Sequence, residues 1–309
     1  TKDTTACFSA TERPSHTSIM AEEEYDEATP EQKRTIAAYF INSAPTGEVE
    51  EVVKDVKTLV GSSAVLGDAE LKGMLHTYNT QHFVSAKAPD GTTVVVSPFG
   101  EVDPETYLDA ATGKVLKFDH LKSEFVSETE HKQVLADDIA AMRGAIDQAV
   151  GGYMKTMYKN SDRANAALAV YGTDDKKVTV VISAKNARLS SFWAGGWQST
   201  YALDVSKKGE VEMKGTIKVN VHYFEDGNVQ LHTSLAKEAK VEVSDPAGTA
   251  KSVALAIERI ESEFQSSLEE LYVDMHSNTF KAMRRFLPLN RQKMNWTTSA
   301  HSLASEITK

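Results

Sequence analysis

Cysteine is almost missing from this 309-residue chain: Cys7 stands alone, so no internal disulfide can form and a reducing, cytoplasmic setting is expected. Long apolar runs are missing as well. None approaches the ~20 residues a membrane-spanning helix needs, and no apolar signal-peptide core precedes the body of the chain. The sequon Asn295-Trp296-Thr297 therefore carries little weight. The sequence also lacks a phosphate loop, an H-E-x-x-H pair, a G-x-S-x-G elbow and paired cysteines, so neither an enzyme nor a cofactor or metal site is expected. Positive charge is in deficit. Lys and Arg number 34 against 44 Asp and Glu, a formal net charge of -10, which argues against nucleic acid as the main partner. The nine His are scattered; His120 and His222, in strand or strand-edge contexts, read as structural residues. Glu225, Asp226 and Asn228 lack calcium-loop spacing and are better explained as a hairpin.

Against that acidic background, five cations and no acid fall between Lys281 and Lys293. On a helix, Lys281, Arg284 and Arg285 would share one face and Phe280, Met283 and Leu287 the opposite one, with Pro288 ending the helix. Two readings stand. The cations could cap a helix C-terminus, where they complement the dipole, or they could grip an acidic protein or lipid surface. Beyond Trp296, the residues Ala300, Leu303 and Ile307 form an apolar stripe at helical spacing, on a helix too short to be stable alone in water. A solvated cap does not need that stripe, which favours the partner reading.

The rest of the chain reads as an α+β protein. Residues 1–28 are polar and aperiodic and are expected to be a disordered extension, with Met20 a candidate start of the family-length protein. Residues 29–81 form a helical stalk. It opens with the capping box Thr29-Pro30-Glu31-Gln32, continues through the heptad-like run Val49, Val52, Val53, Val56, Leu59 and Val60 stopped by Gly61, and ends with a third helix from Asp68. Residues 82–130 form a small mixed module with strands over 83–88, 92–96 and 115–118, bounded by a loop-like stretch over 123–132. Residues 131–276 hold a long helix interrupted by Gly151-Gly152, at which a kink or close packing is expected. Five antiparallel strands follow, over 166–171, 178–184, 198–204, 211–223 and 229–234, with Asp226-Gly227 marking a tight hairpin. A helix capped by Asp245-Pro246 and reaching His276 would be ~45 Å long; it either crosses the whole sheet or projects towards a partner. Trp193 and Trp197, around Gly195-Gly196, either stack on a ligand or pack a bend in the sheet.

The stretches Val221-His222-Tyr223-Phe224-Glu225-Asp226-Gly227-Asn228-Val229 and Phe280-Lys281-Ala282-Met283-Arg284-Arg285-Phe286-Leu287-Pro288 resemble two signatures of the alpha subunits of F-actin capping protein, with Met283 where the family has Leu. Ala44-Pro45-Thr46-Gly47-Glu48, Lys117-Phe118-Asp119-His120-Leu121 and Phe192-Trp193-Ala194-Gly195-Gly196-Trp197 support the resemblance, which runs collinearly over residues 25–296. It implies a three-helix N-terminal stalk, a small mixed module, a five-stranded antiparallel sheet covered by a long C-terminal helix, and an amphipathic C-terminal tentacle over 277–309. It further implies an obligate heterodimer with a capping protein beta subunit, the two sheets joining into one, and calcium-independent capping of the barbed (fast-growing) ends of actin filaments. Actin contacts would fall on Lys281, Arg285 and Arg291, supported by Arg284 and Lys293, while Trp296, Leu303 and Ile307 would fill an apolar groove. Lys281, Arg285 and Arg291 would also meet inhibitory phosphoinositide headgroups. Capping-protein regulators and the dynactin complex are further implied partners, and the actin cytoskeleton of the cytoplasm the implied location. The tail departs from the pattern, since Thr297-Thr298-Ser299 is polar where the family is more apolar and basic.

Overall fold

The computed structural model describes residues 27–158, 164–225 and 228–279. The extension expected at the N-terminus lies outside these residues up to 26, and the tentacle lies outside them from 280 onward.

Three helices come first: α1 (Pro30–Asn42), α2 (Val49–Val60) and α3 (Asp68–Gln81). In α1 the Thr29 hydroxyl accepts from the Gln32 N–H while the Gln32 side chain accepts from the Thr29 N–H, the reciprocal cap read from the sequence. Gly61 ends α2 at φ 66°, a left-handed turn that residues with a Cβ adopt at a cost. Ala37, Ile41, Val56, Leu71, Leu75 and Tyr78 form the shared core of the three helices.

The small module contains a two-stranded ribbon, β1 (Ser85–Lys87) with β2 (Thr93–Val95), and a four-stranded sheet of β3 (Glu101–Asp103), β4 (Thr106–Leu108), β5 (Lys114–Asp119) and β6 (Glu124–Lys132). The loop expected over 123–132 is thus a strand. β6 lies at the sheet edge beside β5, so its pairing comes from the neighbour while Val126 faces solvent. Polar composition hid it.

Helix α4 (Asp137–Met157) passes through Gly151-Gly152 without interruption. A Cβ at Gly151 would lie 3.8 Å from Leu168, and one at Gly152 would meet nothing within 4 Å. Gly152→Ala is therefore expected to raise stability by about 1 kcal/mol, through the propensity difference alone. The denaturation midpoint checks this, and a lower midpoint would show that the glycine serves packing.

The central sheet is a pure antiparallel meander: β7 (Ala164–Gly172), β8 (Lys177–Arg188), β9 (Trp193–Asp204), β10 (Gly209–Tyr223) and β11 (Val229–Val243) in spatial order 11-10-9-8-7. Its strands are longer than the apolar pattern predicts. Trp193 to Trp197 belong to β9, paired with both β8 and β10 without a shift of register. The last β10–β11 pair is Tyr223↔Val229, so five residues join the strands in place of a two-residue turn. One face of the sheet carries α4 and α5 (Pro246–Asp274) over a large core that includes Ile146, Val150, Ile182, Tyr201, Met213, Ile217, Ile257 and Ile260. The other face receives the stalk and the small module: Ser183 Oγ donates to the Phe83 carbonyl at 2.7 Å and Gln198 Nε2 to the Gln81 carbonyl at 3.0 Å.

Candidate interaction surface

Every actin- or lipid-contacting residue expected from the sequence (Lys281, Arg284, Arg285, Arg291, Lys293, Trp296, Leu303 and Ile307) lies outside the described residues. The helix that leads to them is described. Asp245 caps α5 by accepting from the Gly248 N–H, with Pro246 at the first turn. Ser252 Oγ accepts from the Glu242 N–H at 2.9 Å and Lys237 pairs with Glu263 at 3.2 Å, so α5 runs back along β11. Val253, Ile257, Ile260 and Phe264 are buried on the sheet. After Phe264 no described residue of the helix is buried: Leu268 is half-covered, and Leu271, Tyr272 and Val273 are 41%, 45% and 65% exposed. Met275–Thr279 then widens into π-helical geometry. The helix thus crosses the sheet and then leaves it.

Two further features adjoin it. β11 is fifteen residues long and is an edge strand, with β10 on one side. Apart from the Glu242 N–H held by Ser252, an edge of that length presents a row of backbone donors and acceptors that can template another strand. On the helix side of that strand, Ala239, Val241 and Val243 are buried, but Leu231, Thr233 and Leu235 are half-covered and Val229 is 55% exposed. An open groove of about 330 Å³ continues the strip between Tyr158, Ala166, Ala184, Trp197, Val219 and Val221. A backbone edge, an apolar strip and an apolar helix end together form a surface suited to a second sheet-and-helix unit.

The sequence stretches that carry the family resemblance meet elsewhere. Glu48 Oε1 lies 2.7 Å from His222 Nδ1, Asn228 Oδ1 lies 3.2 Å from His222 Nε2, and Phe224 stacks on the imidazole at 4.7 Å. Phe192 packs edge-on against Phe224 at 5.6 Å. A Cβ at Gly196 would lie 2.5 Å from Thr46 Oγ1, so only glycine lets the loop between α1 and α2 sit this close to β9. These stretches therefore join the stalk to the sheet. His120 is structural too: buried, it donates from Nε2 to the Pro104 carbonyl at 2.8 Å, and burial holds its pKa below the ordinary histidine value. Trp197 packs against Phe264 at 5.8 Å, under α5.

One residue of consequence escaped the sequence reading. Glu261 is fully buried. Its Oε2 accepts from Tyr153 Oη at 2.7 Å and Tyr158 Oη at 2.6 Å, and its Oε1 from Ser199 Oγ at 2.7 Å and Tyr201 Oη at 2.9 Å. Burial, reinforced by the carboxylate, pushes all three phenol pKa values well up, so the hydroxyls stay donors. The sequence does contain a signal, an acid in the apolar stripe Ile257, Ile260, Phe264. Its partners, 60 to 108 residues away, leave none.

The F-actin capping protein alpha subunit family model matches residues 37–306. The F-actin-capping protein subunit alpha of Dictyostelium discoideum is 35% identical over 279 residues, covering 89% of this chain and 97% of that protein. The Arabidopsis thaliana subunit is 30% identical over 305 residues, covering 94% and 98%. The structure of the homodimeric actin capping protein alpha subunit from Plasmodium berghei shares the fold with a TM-score of 0.71 at 23% identity, over 85% of this chain and 99% of that one. With the family model spanning residues 37–306 and sequence agreement across nearly the whole length of such relatives, the chain belongs to the F-actin capping protein alpha subunit family.

Proposed function

We propose that this chain is the alpha half of a heterodimer that caps the barbed ends of actin filaments, blocking both addition and loss of subunits without calcium. The observation that carries the reading is the coincidence of family membership with an uncovered surface on the sheet side: the β11 edge, the Val229–Leu235 strip and the end of α5. A beta subunit of like architecture would continue the sheet at β11 and cover the exposed Leu271, Tyr272 and Val273. The basic segment from Lys281 to Lys293 then meets acidic actin, and Trp296, Leu303 and Ile307 slow release by filling an apolar groove. Phosphoinositide headgroups compete for Lys281, Arg285 and Arg291. Regulators of capping and dynactin would engage the assembled heterodimer, in the cytoplasmic actin cytoskeleton.

The test is co-expression with a beta subunit, followed by elongation of actin from filament seeds in the presence of a calcium chelator. The complex is expected to stop barbed-end growth at substoichiometric ratio to actin, and phosphoinositide vesicles to restore growth. The chain expressed alone is expected to aggregate through its open edge. A stable monomer, or a complex that leaves elongation unchanged, would refute the reading. Capping by this chain without a beta subunit would replace the heterodimer with a pair of identical copies.

A further inference from the structure

The burial of Glu261 is chemically unusual. Among the described residues no cation pairs with it, and four hydroxyls supply its hydrogen bonds. A carboxylate taken out of water is a poor source of stability, since an apolar side chain of similar volume is often as good or better there. What four directed hydrogen bonds supply is geometry. Apolar contacts alone are non-directional and would let a helix roll or slide on a sheet. Here both carboxylate oxygens are fixed, one to the end of α4 and the segment after it, the other to β9.

The position along α5 matters as much as the bonds. Glu261 and Phe264 are the last buried residues of the helix, and from Gln265 to Asp274 none is buried. Those ten residues extend ~15 Å. Phe264 rests against Trp197 on the strand that also supplies Ser199 and Tyr201. The hydroxyl cage therefore sits where the supported helix becomes unsupported. A tilt of about 10° there moves the far end by ~2.5 Å, and a roll turns Leu268, Leu271 and Tyr272 away from any surface they must meet.

We infer that Glu261 and its four hydroxyl donors are the positioning device that fixes the roll and direction of the distal half of α5, and thereby aims the segment that follows it. The functional arm of this inference rests on the capping reading; the geometric arm does not. The full chain, assembled with its beta subunit and carrying Cys7→Ser, is spin-labelled at Glu270→Cys and Lys214→Cys, and the distance distribution between the labels is measured. Seeded actin elongation supplies the release rate from filament ends.

The unaltered cage is expected to give one narrow distribution. Glu261→Gln, which places an amide donor where two hydroxyls need an acceptor, is expected to shift or broaden it by more than 3 Å and to speed release about fivefold. Ile257→Val, a buried change in the same helix that removes none of the four hydrogen bonds, is expected to lower the melting temperature while leaving distance and release unchanged. That contrast separates aiming from bulk stability. Should Glu261→Gln fail to fold, Tyr158→Phe, which removes a single donor, decides in its place. Distributions matching the unaltered protein in whichever of these variants folds would overturn the inference. If the unaltered complex does not cap, the capping reading falls and the distance measurement alone decides the positioning claim.

Discussion

Replacing Gly215 by alanine is expected to cost about 1–3 kcal/mol of stability, the usual range for overfilling a packed core. Gly215 lies directly opposite Tyr201 on β9. A Cβ there would sit 2.8 Å from Tyr201 Cδ1, 2.9 Å from Cε1 and 3.3 Å from the Lys237 carbonyl oxygen. An exposed ring would swing aside. Tyr201 is fully buried and its hydroxyl is held by Glu261 at 2.9 Å, so the ring is fixed at both ends. The loss should therefore depend on the cage. In a Tyr201→Phe background the ring is released at its tip, and adding Gly215→Ala is expected to cost at least about 0.5 kcal/mol less than it does alone, the coupling usual for contacting residues. Denaturation midpoints of the two single variants and the double variant measure this. Strict additivity would mean that the tyrosine yields without straining its hydrogen bond, and that the cage is softer than its four short bonds imply.

Elements with a strong local signal could be read directly from the sequence. Helix α2 announces itself by valines at helical spacing and a glycine stop, and α1 by a side-chain cap closed within four residues; the structure reproduces both. The long C-terminal helix is legible because an apolar periodicity follows an Asp-Pro start, in a helix of 29 residues from Pro246. What failed were elements whose reason for existing lies elsewhere in the chain. β3 and β4 are three residues each, too short to show alternation, and β6 is an edge strand held by β5. Trp193 to Trp197 contains two glycines that argue against a strand interior, yet one of them, Gly196, is needed because Thr46 packs onto it. Glu261 could be seen as an anomaly on its helix, but not explained, since a hydroxyl cage is assembled by tertiary structure alone. For the interaction surface, sequence supplied the helix that overhangs. Structure supplied the β11 edge and the half-covered strip beside it, which depend on spatial strand order.

Substituting Lys281 and Arg285 together by alanine is expected to slow barbed-end association about tenfold at low ionic strength, with a shallower dependence on salt. The reason is a contrast of charge. The chain carries a formal net charge of -10, yet has five cations and no acid between Lys281 and Lys293, just after a helix end bearing Glu269, Glu270 and Asp274. On the proposed reading, an acidic actin surface repels the body of this protein and the basic segment leads the approach. Removing two of its five charges weakens the attraction while the repulsion stays. Exposed charges of this kind act mainly by steering the diffusional encounter, which is why association should change more than release, and screening over ~8 Å at physiological ionic strength should shrink the effect as salt is added. Removal of residues 297–309 should do the reverse. If Leu303 and Ile307 fill an apolar groove as proposed, they would contribute at most ~1.5–3 kcal/mol each before ordering losses, acting on the bound state. Time courses of seeded elongation over a range of salt separate the two. If the double substitution leaves the association rate and its salt slope unchanged while capping persists, electrostatic capture by this segment is wrong, and binding must be carried by the apolar end of α5 or by the beta subunit.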